Sequence, residues 1–74
     1  MNATRIAYRN IRAEMARNGE TLVSLAQKTG MTKDTISRKL NGEAAFKLDE
    51  AVRLQQTAFP EQELSYLFAE IFAK

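Results

Sequence analysis

The sequence contains no cysteine, no histidine and no tryptophan. The absence of cysteine excludes disulfide bonds and thiolate chemistry within the chain. The absence of histidine removes the side chain most often used for metal binding and for acid–base catalysis near neutral pH. Carboxylates, lysines and hydroxyl groups remain, but no cofactor-binding motif accompanies them. We therefore expect no enzymatic activity, no metal ion or other cofactor, and no small-molecule ligand.

Long apolar runs are missing as well, since no stretch approaches the ~18 uninterrupted apolar residues that span a bilayer. The first residues, Met1-Asn2-Ala3-Thr4-Arg5, lack the apolar segment of a secretory signal. A charged fraction of 27% and a hydrophobic fraction of 45% are typical of a globular domain. A chain of 74 residues is long enough for one such domain. We therefore expect residues 1–74 to form a single domain with no membrane segment.

Strand patterns are absent too, because no run of alternating β-branched residues occurs and helix-forming residues dominate. Glycine and proline are few, and they stand at positions 19, 30, 42 and 60. They divide the chain into five predicted helices, at about residues 4–18, 22–28, 32–41, 48–57 and 60–73. Thr21 and Thr32 precede the second and third helices as predicted N-caps, and Gly19 ends the first helix. The sequence therefore predicts a compact all-α domain of five helices.

Apolar residues recur at helical spacing in each predicted helix. The predicted core residues are Tyr8, Ile11, Met15, Leu22, Leu25, Ala26, Ile36, Leu40, Leu48, Ala51, Val52, Leu54, Leu64, Leu67 and Phe68. The third helix contributes only two of them, so the rest of its surface, including Lys39, is expected to be exposed. The last helix carries more large apolar residues than a small monomer buries. Its residues Leu67, Ile71 and Phe72 are therefore predicted at a contact between two subunits; the alternative is a frayed end with scattered exposed apolar side chains.

Negative charge is scarce in the first part of the chain. Residues 1–42 carry eight Lys or Arg and three Asp or Glu, a net charge of +5, whereas residues 43–74 carry three and six, a net charge of −3. Such a division suits a protein that presents one surface to a polyanion. Chance scatter of solvated charge produces the same totals. Arg5, Arg9 and Arg12, on the first predicted helix, are more often a solvated face than a polyanion contact.

The second and third predicted helices are separated by only a few residues, Thr29-Gly30-Met31. So short a turn makes two helices cross steeply, and it requires a small residue in the first helix and a glycine in the turn. Ala26 and Gly30 meet both requirements. The residues that the third helix then turns outward are Lys33, Asp34, Ser37 and Arg38. Their donors and acceptors suit the base edges of a DNA major groove, and the alternative is an ordinary solvated helix surface.

The chain resembles the phage-repressor (Cro/lambda-repressor-like, also called XRE) helix-turn-helix family over Leu25-Ala26-Gln27-Lys28-Thr29-Gly30-Met31-Thr32-Lys33-Asp34-Thr35-Ile36-Ser37-Arg38, followed by Asn41-Gly42. The family pattern has a Leu-Ala on the second helix, a Gly in the turn, an Ile-Ser on the third helix and an Asn-Gly at its end. The five-helix layout extends the resemblance to nearly the whole chain. Residues 46–51, 59–60 and 66–68 further resemble small regulators encoded by bacterial phages and prophages.

The resemblance implies a lambda-repressor-like transcriptional regulator with its helix-turn-helix at about residues 21–41. Such a regulator binds double-stranded DNA in the bacterial cytoplasm, usually as a homodimer on a pseudo-palindromic operator. The DNA-binding candidates are Lys33, Asp34, Ser37 and Arg38 for bases, Thr21, Thr32 and Asn41 for phosphates, and Thr35 on the same helix. Asp34 either accepts a hydrogen bond from cytosine or repels phosphate at wrong sites. The alternative function is a protein-interaction adaptor or anti-repressor that keeps the fold without operator recognition.

Several positions depart from the family pattern. Leu22 stands where a glutamine often contacts a phosphate, and Glu20 stands where an apolar residue is preferred. Lys39 occupies a commonly apolar position. Met15 and Leu40 stand where much of the family has an Arg–Glu pair across the core. Because packed apolar residues replace a buried ion pair at little cost, we expect these two side chains to touch.

Overall fold

The computed structural model describes residues 8–72, which form six α-helices and no β-strand. The helices are α1 (Arg9–Asn18), α2 (Leu22–Thr29), α3 (Lys33–Leu40), α4 (Leu48–Ala58), α5 (Leu64–Leu67) and α6 (Ala69–Phe72). The predicted all-α class is therefore confirmed. Residues 4–7 of the first predicted helix, which include Arg5, lie outside the described residues, as do residues 73–74 and the side chain of Phe72.

One apolar core joins the helices, with α2 packed against α3 and α4, and α5 packed against α1 and α4. Its buried members are Tyr8, Ile11, Leu25, Ile36, Leu40, Phe46, Ala51, Leu54, Phe59, Leu67 and Phe68. Met15, Leu22 and Leu64 are partly buried against this core. Most of the predicted core residues are thus confirmed, and each helix from α1 to α5 supplies at least one buried side chain.

Two leucines lie differently from their predicted positions. Leu48, predicted in the core, is 72% exposed, because the first turn of α4 borders an open groove rather than the closed interior. Leu67, predicted both in the core and at a subunit contact, has no exposed surface, so its burial agrees with the core prediction and not with the subunit contact. Ile71 remains 47% exposed.

Tyr8 precedes α1 instead of lying within it, so its predicted place in the first helix is wrong. Its φ of 50° is in the left-handed region, which ends any continuous helix at this residue. The buried ring explains why the backbone holds that conformation, since it packs edge-to-face on Phe46 and Phe68 with centroid distances of 5.3 and 5.6 Å. Burial raises the pKa of the Tyr8 hydroxyl, and the Glu70 carboxylate raises it further.

The chain after α4 does not form the single helix predicted over residues 60–73. Pro60 and Glu61 lie in a turn, α5 begins only at Leu64, and Phe68 interrupts the helical backbone before α6. The Gln55 side chain holds the turn by donating a hydrogen bond to the carbonyl of Gln62 at 2.9 Å. The apolar spacing is satisfied all the same, because two short helical turns place Leu67 and Phe68 in the core.

A carboxylate is buried in α1, which the apolar spacing does not reveal. Glu14 is 2% exposed, and its Oε2 accepts hydrogen bonds from Arg17 at 2.5 Å and from the Tyr66 hydroxyl at 2.9 Å. A buried charge requires such partners, and the second of them links α1 to α5. Glu14 is therefore the fully buried residue of this turn, and the neighbouring Met15 is only partly buried against the core that contains Leu40.

Truncation of the buried leucine of α3 tests this packing. Leu40 is 1% exposed, so Leu40→Ala is expected to lower the free energy of unfolding by about 2–5 kcal/mol through lost burial and a cavity. Val23→Ala truncates an apolar side chain that is 51% exposed and is expected to change that free energy by less than about 0.5 kcal/mol. Urea unfolding followed by circular dichroism measures both variants. Equal losses in the two would show that Leu40 does not anchor α3.

Candidate nucleic-acid interface

A three-residue connection, Gly30 to Thr32, joins α2 to α3. Gly30 has a φ of 79°, a left-handed conformation that glycine adopts readily, and its N–H donates to the Ala26 carbonyl at 2.9 Å. The Thr32 hydroxyl oxygen accepts the N–H of Thr35 at 3.1 Å and so caps α3. The predicted glycine turn and the predicted Thr32 cap are both confirmed. From α4, the Arg53 guanidinium donates to the Thr29 carbonyl at 3.1 Å and fastens the end of α2.

The start of α2 is fixed by a capping box. The Thr21 hydroxyl oxygen accepts the N–H of Ser24 at 3.1 Å, and the Ser24 hydroxyl oxygen accepts the N–H of Thr21 at 2.8 Å. Glu20 accepts a hydrogen bond from the Ser24 hydroxyl at 2.5 Å and forms an ion pair with Lys28. The hydrogen bond from Lys28 lowers the pKa of the Glu20 carboxyl below its ordinary value. Glu20 thus gives α2 an anionic group near its first turn, where the helix dipole favours one.

Helix α3 has a buried side and an exposed side. Ile36, Lys39 and Leu40 are buried, with exposures of 0, 8 and 1%. The opposite side carries the predicted base-contacting residues at helical i, i+4 spacing, so they share one outward surface. We name this surface the outer face of α3; it comprises Lys33, Asp34, Ser37 and Arg38. Burial of the inner side fixes which residues the outer face presents.

The eight DNA-binding candidates differ in how exposed they are. Thr21, Thr32, Lys33, Asp34, Arg38 and Asn41 are exposed, whereas Thr35 and Ser37 are half-buried. Thr35 is engaged locally, since its hydroxyl accepts a hydrogen bond from that of Thr32 at 2.9 Å. Thr21 lies at the start of α2, apart from the outer face of α3. The structure therefore groups the base-contacting candidates and keeps the phosphate-contacting candidates at the helix ends.

Arg38 lies between two carboxylates. Its Nη1 is 3.7 Å from an oxygen of Asp34, one turn earlier on α3, and its Nε is 3.9 Å from an oxygen of Glu43 in the following loop. Glu43 was not among the predicted site residues. The Asn41-Gly42 pair indicates that the chain turns after α3, but it does not indicate which side chain returns to the helix. The backbone decides that, because the Glu43 N–H donates to the Arg38 carbonyl at 2.8 Å.

Asn41, at the end of α3, is oriented by a side chain from α1. Arg12 Nη2 donates to Asn41 Oδ1 at 2.8 Å and to the Leu40 carbonyl at 3.2 Å. A guanidinium only donates hydrogen bonds, so the Asn41 atom that faces it is the carbonyl oxygen. The amide nitrogen of Asn41 is therefore turned away from Arg12. Arg12 thus links α1 to the end of α3, a role that the sequence did not indicate.

Lys39 was predicted to be exposed and is instead buried between α3 and α4. Its Nζ donates to Glu50 Oε1 at 2.6 Å and to the Ala45 carbonyl at 2.9 Å. The same Glu50 oxygen accepts the N–H of Lys47 at 2.9 Å. The hydrogen bond from Lys39 lowers the pKa of the Glu50 carboxyl below 4.5, although burial opposes the shift. An ion pair thus joins α3 to the start of α4.

Loss of this ion pair is expected to be pH-dependent. Because the pKa of Glu50 is lowered in the folded state, its stabilisation is present above pH 4.5 and is lost as the pH falls through the lower, folded-state pKa. Glu50→Gln is expected to lower the free energy of unfolding at pH 7 by about 1–2 kcal/mol, since it leaves Lys39 buried without a carboxylate. The difference from the wild type should shrink as the pH falls through the lowered pKa of Glu50, because Glu50 itself becomes protonated there. Urea unfolding at pH 7 and pH 3 measures it, and a constant difference would contradict the ion pair.

Other sites find little support between residues 8 and 72. Nowhere in that range do three or more acidic side chains converge in a way that suits a metal ion. None of the helices there is both long enough and apolar enough to cross a bilayer. Comparison with known proteins finds no matching family model, no matching curated protein and no matching solved structure. The inference about function therefore depends on the geometry of α2 and α3.

Proposed function

We propose that this protein is a sequence-specific DNA-binding transcriptional regulator that places α3 in the major groove as the second helix of a helix-turn-helix. The observation that carries the proposal is the burial of only one side of α3. Its inner side is held in the core by Ile36 and Leu40, and its outer face presents hydrogen-bonding side chains to solvent. An α-helix with its side chains is about 10–12 Å wide, which matches the roughly 12 Å width of the major groove.

The ends of the two helices supply the phosphate contacts in this proposal. Thr21 and Thr32 cap α2 and α3 and lie beside backbone N–H groups, which favour anions at a helix N-terminus. At the other end of α3, Asn41 has its amide nitrogen turned away from Arg12 and available to donate to a phosphate oxygen. These contacts would fix the position of α3 without reading sequence. Arg38, which can donate two hydrogen bonds to guanine, is the main base-reading residue.

A protein-interaction adaptor is the second candidate, and one observation favours it. Asp34 and Glu43 lie beside Arg38. Their two negative charges cancel the positive charges of Lys33 and Arg38, so these four side chains have no net charge. Phosphate contacts make DNA affinity fall with salt, by about one log–log unit per contact. A salt titration of binding to DNA fragments selected from a random pool therefore separates a regulator, which selects a sequence and shows this dependence, from an adaptor, which does neither.

We also propose that the regulator acts as a homodimer. The exposed apolar residues Leu48 and Ile71 border a groove of about 220 Å³, whose other lining residues are Phe46, Ala51, Leu64 and Phe68. Ile71 belongs to the predicted subunit contact. Leu48 and the groove continue that contact as one exposed apolar surface. The domain measures 32 × 24 × 23 Å, so two copies side by side can present their α3 helices about 34 Å apart, one turn of DNA.

Removal of the base-reading side chain tests the proposed recognition. Arg38→Ala is expected to weaken binding to the selected sequence by ~1–3 kcal/mol and to relax the preference at one base position. Asn41→Ala is the matched comparison, and it should weaken binding to all sequences alike because a phosphate contact carries no sequence information. Fluorescence anisotropy with selected and scrambled duplexes measures both. Unchanged affinity of Arg38→Ala for the selected sequence at ~100 mM salt would rule out α3 as the recognition helix.

A charge placed on the apolar surface tests the proposed dimer. Ile71→Asp is expected to convert the dimer to a monomer, because an ionised carboxylate would be buried at the subunit contact. Val23→Asp is the control, since Val23 is 51% exposed on α2 and the variant should keep the mass of the wild type. Sedimentation equilibrium measures the masses. A wild-type protein that is monomeric both free and on its DNA site would contradict the proposal.

A further inference from the structure

The two carboxylates beside Arg38 differ in what explains their position. Asp34 is in the first turn of α3, where a negative charge is favourable to the helix dipole. Glu43 follows the C-terminus of α3, where the dipole disfavours a negative charge. The stability of α3 therefore accounts for Asp34 but not for Glu43.

The ion pairs themselves contribute little to the fold. The Arg38, Asp34 and Glu43 side chains are 63, 82 and 50% exposed, and the separations of 3.7 and 3.9 Å exceed those of direct hydrogen bonds. Glu43 is held near Arg38 by its backbone, since its N–H donates to the Arg38 carbonyl and Gly42 turns the chain with a φ of 81°. The backbone of Glu43 thus keeps its side chain within reach of Arg38 even when the ion pair opens.

Arg38 and its two carboxylates carry a net charge of −1, and Lys33 on the same outer face brings the local sum to zero. A phosphate that approaches the Arg38 guanidinium therefore also approaches two carboxylates, whose repulsion offsets the attraction of the guanidinium. The edge of a guanine presents neutral acceptors, which do not experience this repulsion. The arrangement therefore favours a guanidinium that contacts a base over one that contacts the DNA backbone.

We propose that Glu43 is a specificity-determining residue that, together with Asp34, disfavours complexes in which Arg38 contacts only phosphate. The proposal rests on the proposed function, because it assigns a role within DNA recognition by α3. In this proposal Glu43 raises the ratio of the affinity for specific DNA to the affinity for non-specific DNA. Glu43 makes no favourable contact with DNA in this mechanism.

The experiment compares Glu43→Gln with Glu61→Gln. Both remove one negative charge, and Glu61 lies in the connection between α4 and α5, away from the outer face of α3. Affinities for the selected duplex and for a scrambled duplex of the same composition are measured by anisotropy over a series of salt concentrations. Thermal unfolding of each variant checks that the fold is intact, as the 50% exposure of Glu43 leads us to expect.

Glu43→Gln is expected to raise the affinity for the scrambled duplex about fivefold at low salt and to leave that for the selected duplex within about twofold. Its salt dependence on scrambled DNA should steepen by about one log–log unit, because Arg38 gains a phosphate contact. Glu61→Gln should change both affinities by the same small factor. In an Arg38→Met background, Glu43→Gln should no longer change the ratio of the two affinities.

Two further outcomes overturn the proposal in distinguishable ways. If the wild type discriminates between the duplexes and Glu43→Gln raises both affinities equally, Glu43 acts only through net charge and this inference is wrong while the proposed function stands. If the wild type selects no sequence and shows no salt dependence, the proposed function fails, and the role of Glu43 fails with it.

Discussion

Burial of one side of α3 is the constraint on which the rest of the structure depends. A helix of eight residues is not stable in isolation, so it persists only where the tertiary structure holds it. Ile36 and Leu40 supply the large apolar contacts, and both are fully buried. Two side chains add polar anchors near its end, Lys39 to Glu50 in α4 and Arg12 from α1 to the Leu40 carbonyl. Contacts with α1, α2 and α4 thus hold the outer face of α3 toward solvent.

Some charged side chains occupy buried positions in this structure. Lys39 is buried, and a lysine is tolerated there because its ammonium donates hydrogen bonds to Glu50 and to the Ala45 carbonyl. Glu14 is similarly buried, with Arg17 and the Tyr66 hydroxyl as its partners. Buried ion pairs of this kind add little net stability relative to apolar residues, but loss of one partner is costly. They therefore restrict how the helices pack more than they strengthen the packing.

The charged side chains on the outer surface are distributed differently from the buried ion pairs. The excess of positive charge in residues 1–42 suits an approach to a polyanion, whereas the outer face of α3 includes Asp34 and is approached by Glu43. Attraction to DNA and discrimination between sequences are thereby assigned to different residues in the proposed function. In that proposal, general attraction would come from the basic first half, and the carboxylates beside Arg38 would reduce the contribution of the outer face to binding that ignores sequence.

The sequence by itself determined the features that depend on neighbours within about four residues. The all-α class, the left-handed glycines at the helix ends and the caps at Thr21 and Thr32 follow from local hydrogen bonding and backbone sterics. The apolar spacing also identified Ile36 and Leu40, because a helix has a fixed period. These local rules were enough to predict α2, the turn and α3 nearly to the residue.

Only the tertiary structure decided the features that join distant parts of the chain. Eleven residues separate Lys39 from Glu50, and 52 separate Glu14 from Tyr66, so no periodic pattern relates them. Leu48 and Leu67 share the apolar character that the pattern detects, yet one borders an open groove and the other fills the core. Apolar spacing shows which face of a helix turns inward, but the neighbouring helices determine how far the core extends along that face. For the same reason, the sequence did not show that the Glu43 carboxylate lies beside Arg38, because the fold of the loop after α3 places it there.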